Sequence, residues 1–122
     1  MTIEKTILVV DDELGYREML QMDLSRQGFH VLTAGSGPEA LQILDKAKVD
    51  LVVTDMKMPK MDGLMTTVEI RKKFPSLPIV LMTGYALEDT MKQALQFKAT
   101  TSLRKPFNIS DFNKAVHNVL PS

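Results

Sequence analysis

The chain has no cysteine and no tryptophan, and only 6% of its 122 residues are aromatic. Without cysteine it can form no disulfide framework, no thiolate nucleophile and no cysteine-ligated metal site. Basic and acidic residues number 15 each, so the zero formal charge does not favour direct binding to nucleic acid or to an anionic membrane. No apolar run approaches the roughly 20 residues of a membrane span, and the first six residues lack the apolar core of a signal peptide. We therefore expect a cytoplasmic chain, long enough for one packed domain.

Short apolar runs alternate with longer amphipathic segments along the whole chain. They predict strands near 6–10, 30–34, 50–54, 78–83 and 101–105. The segments between them have helical periodicity, with predicted helices at about 14–27 and 63–73 and with apolar stripes at Ala40/Leu41/Leu44/Ala47, Leu87/Met91/Ala94/Leu95 and Phe112/Ala115/Val116/Val119/Leu120. Five strand–helix repeats favour an α/β fold, and we predict a single domain over 1–122 with a doubly wound, flavodoxin-like parallel sheet in the order 2-1-3-4-5.

Polar residues follow four of the five predicted strands. Asp11 and Asp12 come after the first strand, Asp55 after the third, Thr83 after the fourth and Lys105 after the fifth. The carboxyl ends of parallel strands lie on one edge of the sheet, where ligands bind, and the first and third strands are neighbours at the switch point of this topology. We therefore expect these five side chains to form one site.

The chemistry of this set favours a hard cation and a phosphoryl group. Carboxylates that converge repel one another, and they either raise a pKa or bind a cation. Oxygen ligands without histidine or cysteine favour Mg²⁺, which keeps waters that a phosphate can replace. Thr83 adds a hydroxyl donor and Lys105 adds a mobile positive charge. In such a site Asp55 could attack a phosphorus atom in line.

Each of these residues, taken alone, also has a purely structural explanation. Asp12 could be the N-cap of the first helix, Asp55 a turn residue, Thr83 a cap for the next helix and Lys105 a solvated lysine. Four strand ends that carry complementary groups of one site favour the functional interpretation instead.

A second motif, Gly35–Ala40, fits the dinucleotide pattern G-x-G-x-x-A, with Asp55 as its distant acid. A capping box of Ser36 and Glu39, with Pro38 in the first turn, explains the same residues. The fingerprint also belongs after the first strand of such a domain, and this one follows the second, so we exclude dinucleotide binding.

The strand-end motifs resemble those of two-component response regulator receiver domains, the CheY-like superfamily. The resemblance rests on Ile7–Glu13, Asp55–Gly63, Met82–Gly84 and Lys105–Phe107, and it covers essentially the whole chain. It is nearest in character to the receivers of sporulation phosphorelays and of nitrogen-control regulators.

The resemblance implies a role for each acid. Asp55 would accept a phosphoryl group from a sensor histidine kinase or a phosphotransfer protein. Asp12, Asp55 and the backbone carbonyl of Lys57 would bind Mg²⁺ (or Mn²⁺), with Asp11 helping through water. Asp55 would thus be both phosphoacceptor and metal ligand.

The resemblance also implies how the phosphoryl group is held and read. Thr83 and Lys105 would contact its oxygens, and the Lys105–Pro106 bond would be cis. The chain would assist its own phosphorylation and slow dephosphorylation without being a turnover enzyme on a separate substrate. The phosphorylated chain would act on a downstream effector or on a covalently linked output domain. It would also form a phosphorylation-dependent dimer through the fourth helix, fifth strand and fifth helix.

Two departures from the family pattern concern signal output. Ser102 stands where many receivers have a tyrosine or phenylalanine that moves with the threonine, and Lys98–Ala99 replaces the usual Gly-Ala. We hypothesise that the signal travels through the loop after Thr83 and the fourth helix instead. Two large side chains stand close to the site in sequence: Lys57 lies two residues past Asp55, and Tyr85 lies two residues past Thr83. We predict that they shield the acyl phosphate from water and make self-dephosphorylation slow.

Two further functions fit parts of the pattern. An unphosphorylated interaction module would keep the fold, but the complete Asp-Asp-Asp-Thr-Lys set disfavours it. A phosphohydrolase of the haloacid dehalogenase type would need an acid two residues after Asp55, where this chain has Lys57.

Overall fold

The computed structural model describes residues 4–55, 63–84 and 100–120. Within these ranges five strands form one parallel sheet in the order β2-β1-β3-β4-β5, which confirms the predicted topology. The strands are β1 Thr6–Val10, β2 His30–Ala34, β3 Leu51–Asp55, β4 Ile79–Thr83 and β5 Thr101–Arg104. The helices that these ranges contain are α1 Leu14–Arg26, α2 Gly37–Lys46, α3 Gly63–Lys73 and α4 Ile109–Val119. The predicted helix over 87–95 lies outside the described residues.

The sheet is buried on both faces because its central strands are continuous apolar runs. Alternate residues of β1 point to opposite sides, as the pleat requires. Ile7 and Val9 pack in a cluster with residues of α1 and α4, whereas Leu8 and Val10 pack with residues of α2 and α3. Every residue of β3 and β4 is buried. Two apolar layers therefore hold the sheet rigid from both sides.

The ends of α1 and α2 follow from local sequence. Gly28, just past α1, has a φ of 96°, a left-handed conformation that glycine adopts at little cost. At the start of α2 the Ser36 hydroxyl accepts a hydrogen bond from the Glu39 amide, 3.3 Å away. The Glu39 carboxylate accepts from the Gly35 amide at 3.1 Å. The Gly35–Ala40 motif is thus a helix cap, as the sequence indicates.

The strand register brings the functional ends together. Val10 pairs with Thr54, Asp55 with Met82, and Thr83 with Arg104. Residues that follow β1, β3, β4 and β5 therefore meet at one edge of the sheet. None of the helices in 4–55, 63–84 and 100–120 has the length and apolar character that a bilayer crossing requires.

Candidate functional site

Asp11 occupies the centre of the site and is fully buried. Its backbone amide donates to the Ala34 carbonyl at 3.1 Å, which continues the β1–β2 pairing by one residue. One carboxylate oxygen, Oδ1, accepts from the Glu13 amide at 2.9 Å, and the other, Oδ2, lies 2.7 Å from the Lys105 ammonium. Because both oxygens are engaged, the carboxylate is fixed in one orientation.

Lys105 joins the two strand-end carboxylates. Its Nζ lies 2.7 Å from Asp11 Oδ2, 3.5 Å from Asp55 Oδ2 and 3.8 Å from Glu13 Oε1. Only 12% of the lysine side chain and 9% of the Asp55 side chain are exposed, and Asp11 is fully buried, so water screens the pairs of Lys105 with Asp11 and Asp55 weakly. The ammonium therefore offsets the repulsion between Asp11 and Asp55.

The pKa of Lys105 reflects two opposing effects. Burial alone lowers it, but the hydrogen bond with Asp11 and the negative charges of Asp55, Asp11 and Glu13 outweigh burial, so the pKa lies above its ordinary value. The lysine is consequently a permanent cation at neutral pH.

Four acids of the site are close enough to share one cation. Ligand oxygens of Asp11, Asp12, Glu13 and Asp55 all lie within 4.8 Å of one another. Asp11 and Asp55 are buried, whereas Asp12 and Glu13 face solvent. One lysine cannot neutralise four carboxylates, and an all-oxygen set with an exposed side suits a hard ion that keeps water ligands. The residues present thus fit Mg²⁺.

Thr83 and the lysine peptide complete the edge. Thr83 is the last residue of β4 and only 1% exposed, and its backbone carbonyl accepts from the Lys105 amide at 2.7 Å. The Lys105–Pro106 peptide bond is cis, as predicted. The structure therefore brings Asp11, Asp12, Asp55 and Lys105 together and places Thr83 at the same edge. Lys57 lies outside the described residues.

Asp12 is not the N-cap of α1. That position belongs to Glu13, whose side chain makes no capping hydrogen bond. The structural alternative for Asp12 is therefore wrong, and its exposed carboxylate stands in the acid cluster instead.

Three contributors to the site are not among the residues predicted from the sequence. Glu13 extends the acid run and joins the cluster, and a third consecutive acid is the signal for it. The Arg17 guanidinium, one turn into α1, donates to the Asp11 carbonyl at 2.7 Å. Tyr16, which fits the apolar face of the first helix, places its ring under Lys105 with 3.8 Å between ring centroid and Nζ. The Arg17 and Tyr16 contacts have no signal in the local sequence.

A flavodoxin-like sheet with acids and a lysine at its switch point defines the CheY-like class of fold. The family model for the response regulator receiver domain matches residues 7–117. The chain belongs to this family, and it is accordingly a phospho-accepting signalling switch of two-component systems.

Two curated relatives illustrate the range of chains that carry this domain. The chain is 33% identical over 119 residues to sporulation initiation phosphotransferase F of Bacillus subtilis, covering 98% of this chain and 96% of the relative. It is 37% identical over 120 residues to the regulatory protein AtoC of Escherichia coli, covering 98% of this chain and 26% of the relative. The chain thus spans almost all of one relative and about a quarter of the other.

Solved structures agree with the fold. Chemotaxis response regulator CheY4 of Vibrio cholerae superimposes with a TM-score of 0.91 at 31% identity, covering 97% of this chain and all of that one. The response regulator TrrA of Thermotoga maritima, solved in complex with Mg²⁺-BeF, has a TM-score of 0.86 at 36% identity, covering 95% of this chain and 99% of that one.

Membership of the family carries general properties with it. Receiver domains are signalling domains and not classical turnover enzymes, and they depend on Mg²⁺. They work with histidine kinases or phosphotransfer proteins, and several relatives join the receiver to an output domain.

Proposed function

We propose that Asp55 is the phosphoacceptor of this chain. Its carboxylate ends β3 at the switch point, nearly buried, with Oδ2 3.5 Å from the Lys105 ammonium. That ammonium is also 2.7 Å from Asp11. This single lysine, held between two acids, is the observation that carries the proposal, because it can turn from Asp11 toward new negative charge on Asp55 without crossing bulk water.

The transfer itself needs only one bond made and one broken. A carboxylate oxygen of Asp55 attacks phosphorus in line as the bond from phosphorus to the donor's imidazole nitrogen breaks, and that nitrogen keeps the electron pair. The Lys105 ammonium offsets the negative charge of the phosphoryl oxygens, and the Thr83 hydroxyl orients them by donating a hydrogen bond. The charge of Lys105 also offsets the repulsion between the anionic phosphoryl group and the attacking carboxylate.

Asp11, Asp12, Asp55 and the backbone carbonyl of Lys57 would hold the metal. The clustering of carboxylate oxygens within 4.8 Å supports the first three. Bound there, Mg²⁺ would offset the charge on the phosphoryl oxygens. Because Asp11 is already hydrogen bonded through both oxygens, we assign it an indirect role through water and give Asp12 and Asp55 the direct contacts. Mn²⁺, which accepts the same ligands, would substitute.

Partners follow from the chemistry of the donor. We propose a sensor histidine kinase or phosphotransfer protein upstream and an effector or linked output domain downstream, in the cytoplasm where response regulators generally work. A phosphorylation-dependent dimer would use the predicted fourth helix, which lies outside the described residues, together with the edge strand β5 and α4, the fifth helix of the sequence prediction.

The proposal is tested by incubating the chain with acetyl phosphate and either Mg²⁺ or EDTA, then measuring the intact mass. We expect one added phosphoryl group with Mg²⁺, none with EDTA and none for Asp55→Asn. Asp45→Asn, which removes an exposed acid of α2, is the matched control and should label normally. An adduct that persists in Asp55→Asn would mean that another residue accepts the phosphoryl group. Wild-type protein that takes no label would show an unphosphorylated interaction module instead.

A further inference from the structure

Lys105 touches more than acids. Its Nζ lies over the face of the Tyr16 ring, 3.8 Å from the centroid. The positive charge of the ammonium is attracted to the negative π-electron cloud of the ring. The lysine is mostly buried, so this attraction competes little with water. The ring and the carboxylates therefore bound the space in which the ammonium can lie.

The Tyr16 ring is itself braced by two further aromatic rings. Its centroid is 5.9 Å from that of Phe107 in a tilted arrangement, and Phe107 stacks on Phe112 at 5.6 Å. Phe112 is fully buried in α4, within the apolar cluster on that side of the sheet. Tyr16 also belongs to α1, whose Leu20 and Leu24 lie in the same cluster. The ring is consequently a fixed surface under a mobile cation.

We propose that Tyr16 is a positioning residue for Lys105. This inference rests on the proposed function and adds how the lysine is held beside Asp55 before the phosphoryl group arrives. The ring face holds the ammonium beside Asp11 and Asp55 through the long, flexible lysine stem. When charge appears on Asp55, the ammonium shifts across the ring without entering solvent.

The proposed role requires an aromatic ring at position 16 but does not require the tyrosine hydroxyl. Tyr16→Phe keeps the π-face and should label with acetyl phosphate as fast as wild type. Tyr16→Leu keeps apolar bulk but removes the face, and labelling should slow by about threefold to tenfold, the range for a partly desolvated cation–π contact. A slowing of the same size in Tyr16→Phe would overturn the proposal.

Phe29→Leu is the matched control. Phe29 is a half-buried aromatic residue near the other end of α1, where it packs in the same cluster and lies 5.9 Å from the His117 ring. Its loss should lower stability comparably but leave the labelling rate unchanged. Equal slowing in Phe29→Leu and Tyr16→Leu would mean that Tyr16 acts only through packing, and the proposal would fall.

A spectroscopic readout separates this proposal from the proposed function. Because Lys105 sits over an aromatic face, its ε-methylene protons should resonate upfield of those of the other lysines in wild type and in Tyr16→Phe. The shift should vanish in Tyr16→Leu. If wild type takes no label, the proposed function fails, but the spectrum still decides this proposal: shifted protons support it and unshifted protons overturn it.

Discussion

At the scale of single residues, the site is a balance of charge. Asp11 is buried and hydrogen bonded through both oxygens, so its carboxylate is held in one orientation. The Lys105 ammonium lies within 4 Å of oxygens of three acids and can move among them. Because Asp11 and Lys105 each follow a predicted strand, the sequence identifies both as site residues. The sequence does not show that they pair with each other, since they are 94 residues apart and Asp12 is an equally good candidate for the partner of Lys105.

Removal of the lysine charge should destabilise the metal-free protein. Lys105→Met leaves Asp11 and Asp55 adjacent without a cation, which should lower the free energy of unfolding by about 3–5 kcal/mol. Mg²⁺ should restore part of it by replacing the missing positive charge. Urea unfolding in EDTA and in Mg²⁺ measures both effects. Lys73→Met, which breaks an exposed pair with Asp45, should cost under about 1 kcal/mol; equal losses for the two variants would contradict this account.

The lifetime of the acyl phosphate should depend on Lys57 and Tyr85. Both residues lie outside the described ranges, and the resemblance to receiver domains implies that they would flank the path of the hydrolytic water. Large side chains there would slow its approach. We expect Lys57→Ala combined with Tyr85→Ala to shorten the lifetime several-fold, measured by loss of the added mass after removal of acetyl phosphate. An unchanged lifetime would refute shielding by these side chains.

At the scale of elements, periodicity predicts most strand and helix bounds to within a residue. β1 and β2 match the predicted 6–10 and 30–34, and α3 matches 63–73. The predictions and the structure differ at the ends of the helices. Ala47 and Leu120 fit the helical stripes but are C-cap residues with extended backbone, because a stripe continues past the last hydrogen-bonded turn without any change in sequence pattern.

The two ends of α1 offer a paired test of backbone conformation. Gly28 has a φ of 96°, whereas Gly15 lies inside the helix with open space where an added Cβ would stand. Gly28→Ala should destabilise by about 1 kcal/mol, the cost of a left-handed alanine. Gly15→Ala should stabilise by up to about 1 kcal/mol through helix propensity. Thermal or urea unfolding gives both values, and a loss of stability in Gly15→Ala would contradict the assignment.

At the scale of the whole molecule, the fold concentrates distant groups at one edge of a rigid sheet. The topology alone predicts that edge, so the order of strands along the sequence is enough to group Asp55, Thr83 and Lys105. The Tyr16 contact cannot be predicted in this way, because it depends on how α1 tilts against the segment that follows β5. Side chains that reach the site from helices leave no strand-end signature.

Metal binding should couple to global stability. A ligand that binds only the folded state stabilises it, by about 2.7 kcal/mol at a concentration of 100 times its dissociation constant. We expect Mg²⁺ to raise the unfolding midpoint of wild type and to do so much less in Asp12→Asn, with NaCl at matched ionic strength as the control. A rise of equal size in Asp12→Asn would remove Asp12 from the ligand set.

The most direct test of the central claim is to locate the phosphoryl group by tandem mass spectrometry after labelling with acetyl phosphate and Mg²⁺. Asp55 falls in a different fragment from Asp11 and Asp12, since it lies far along the chain from both. The division of roles among the acids predicts the group on Asp55 alone. A phosphoryl group on Asp11 or Asp12 would contradict it.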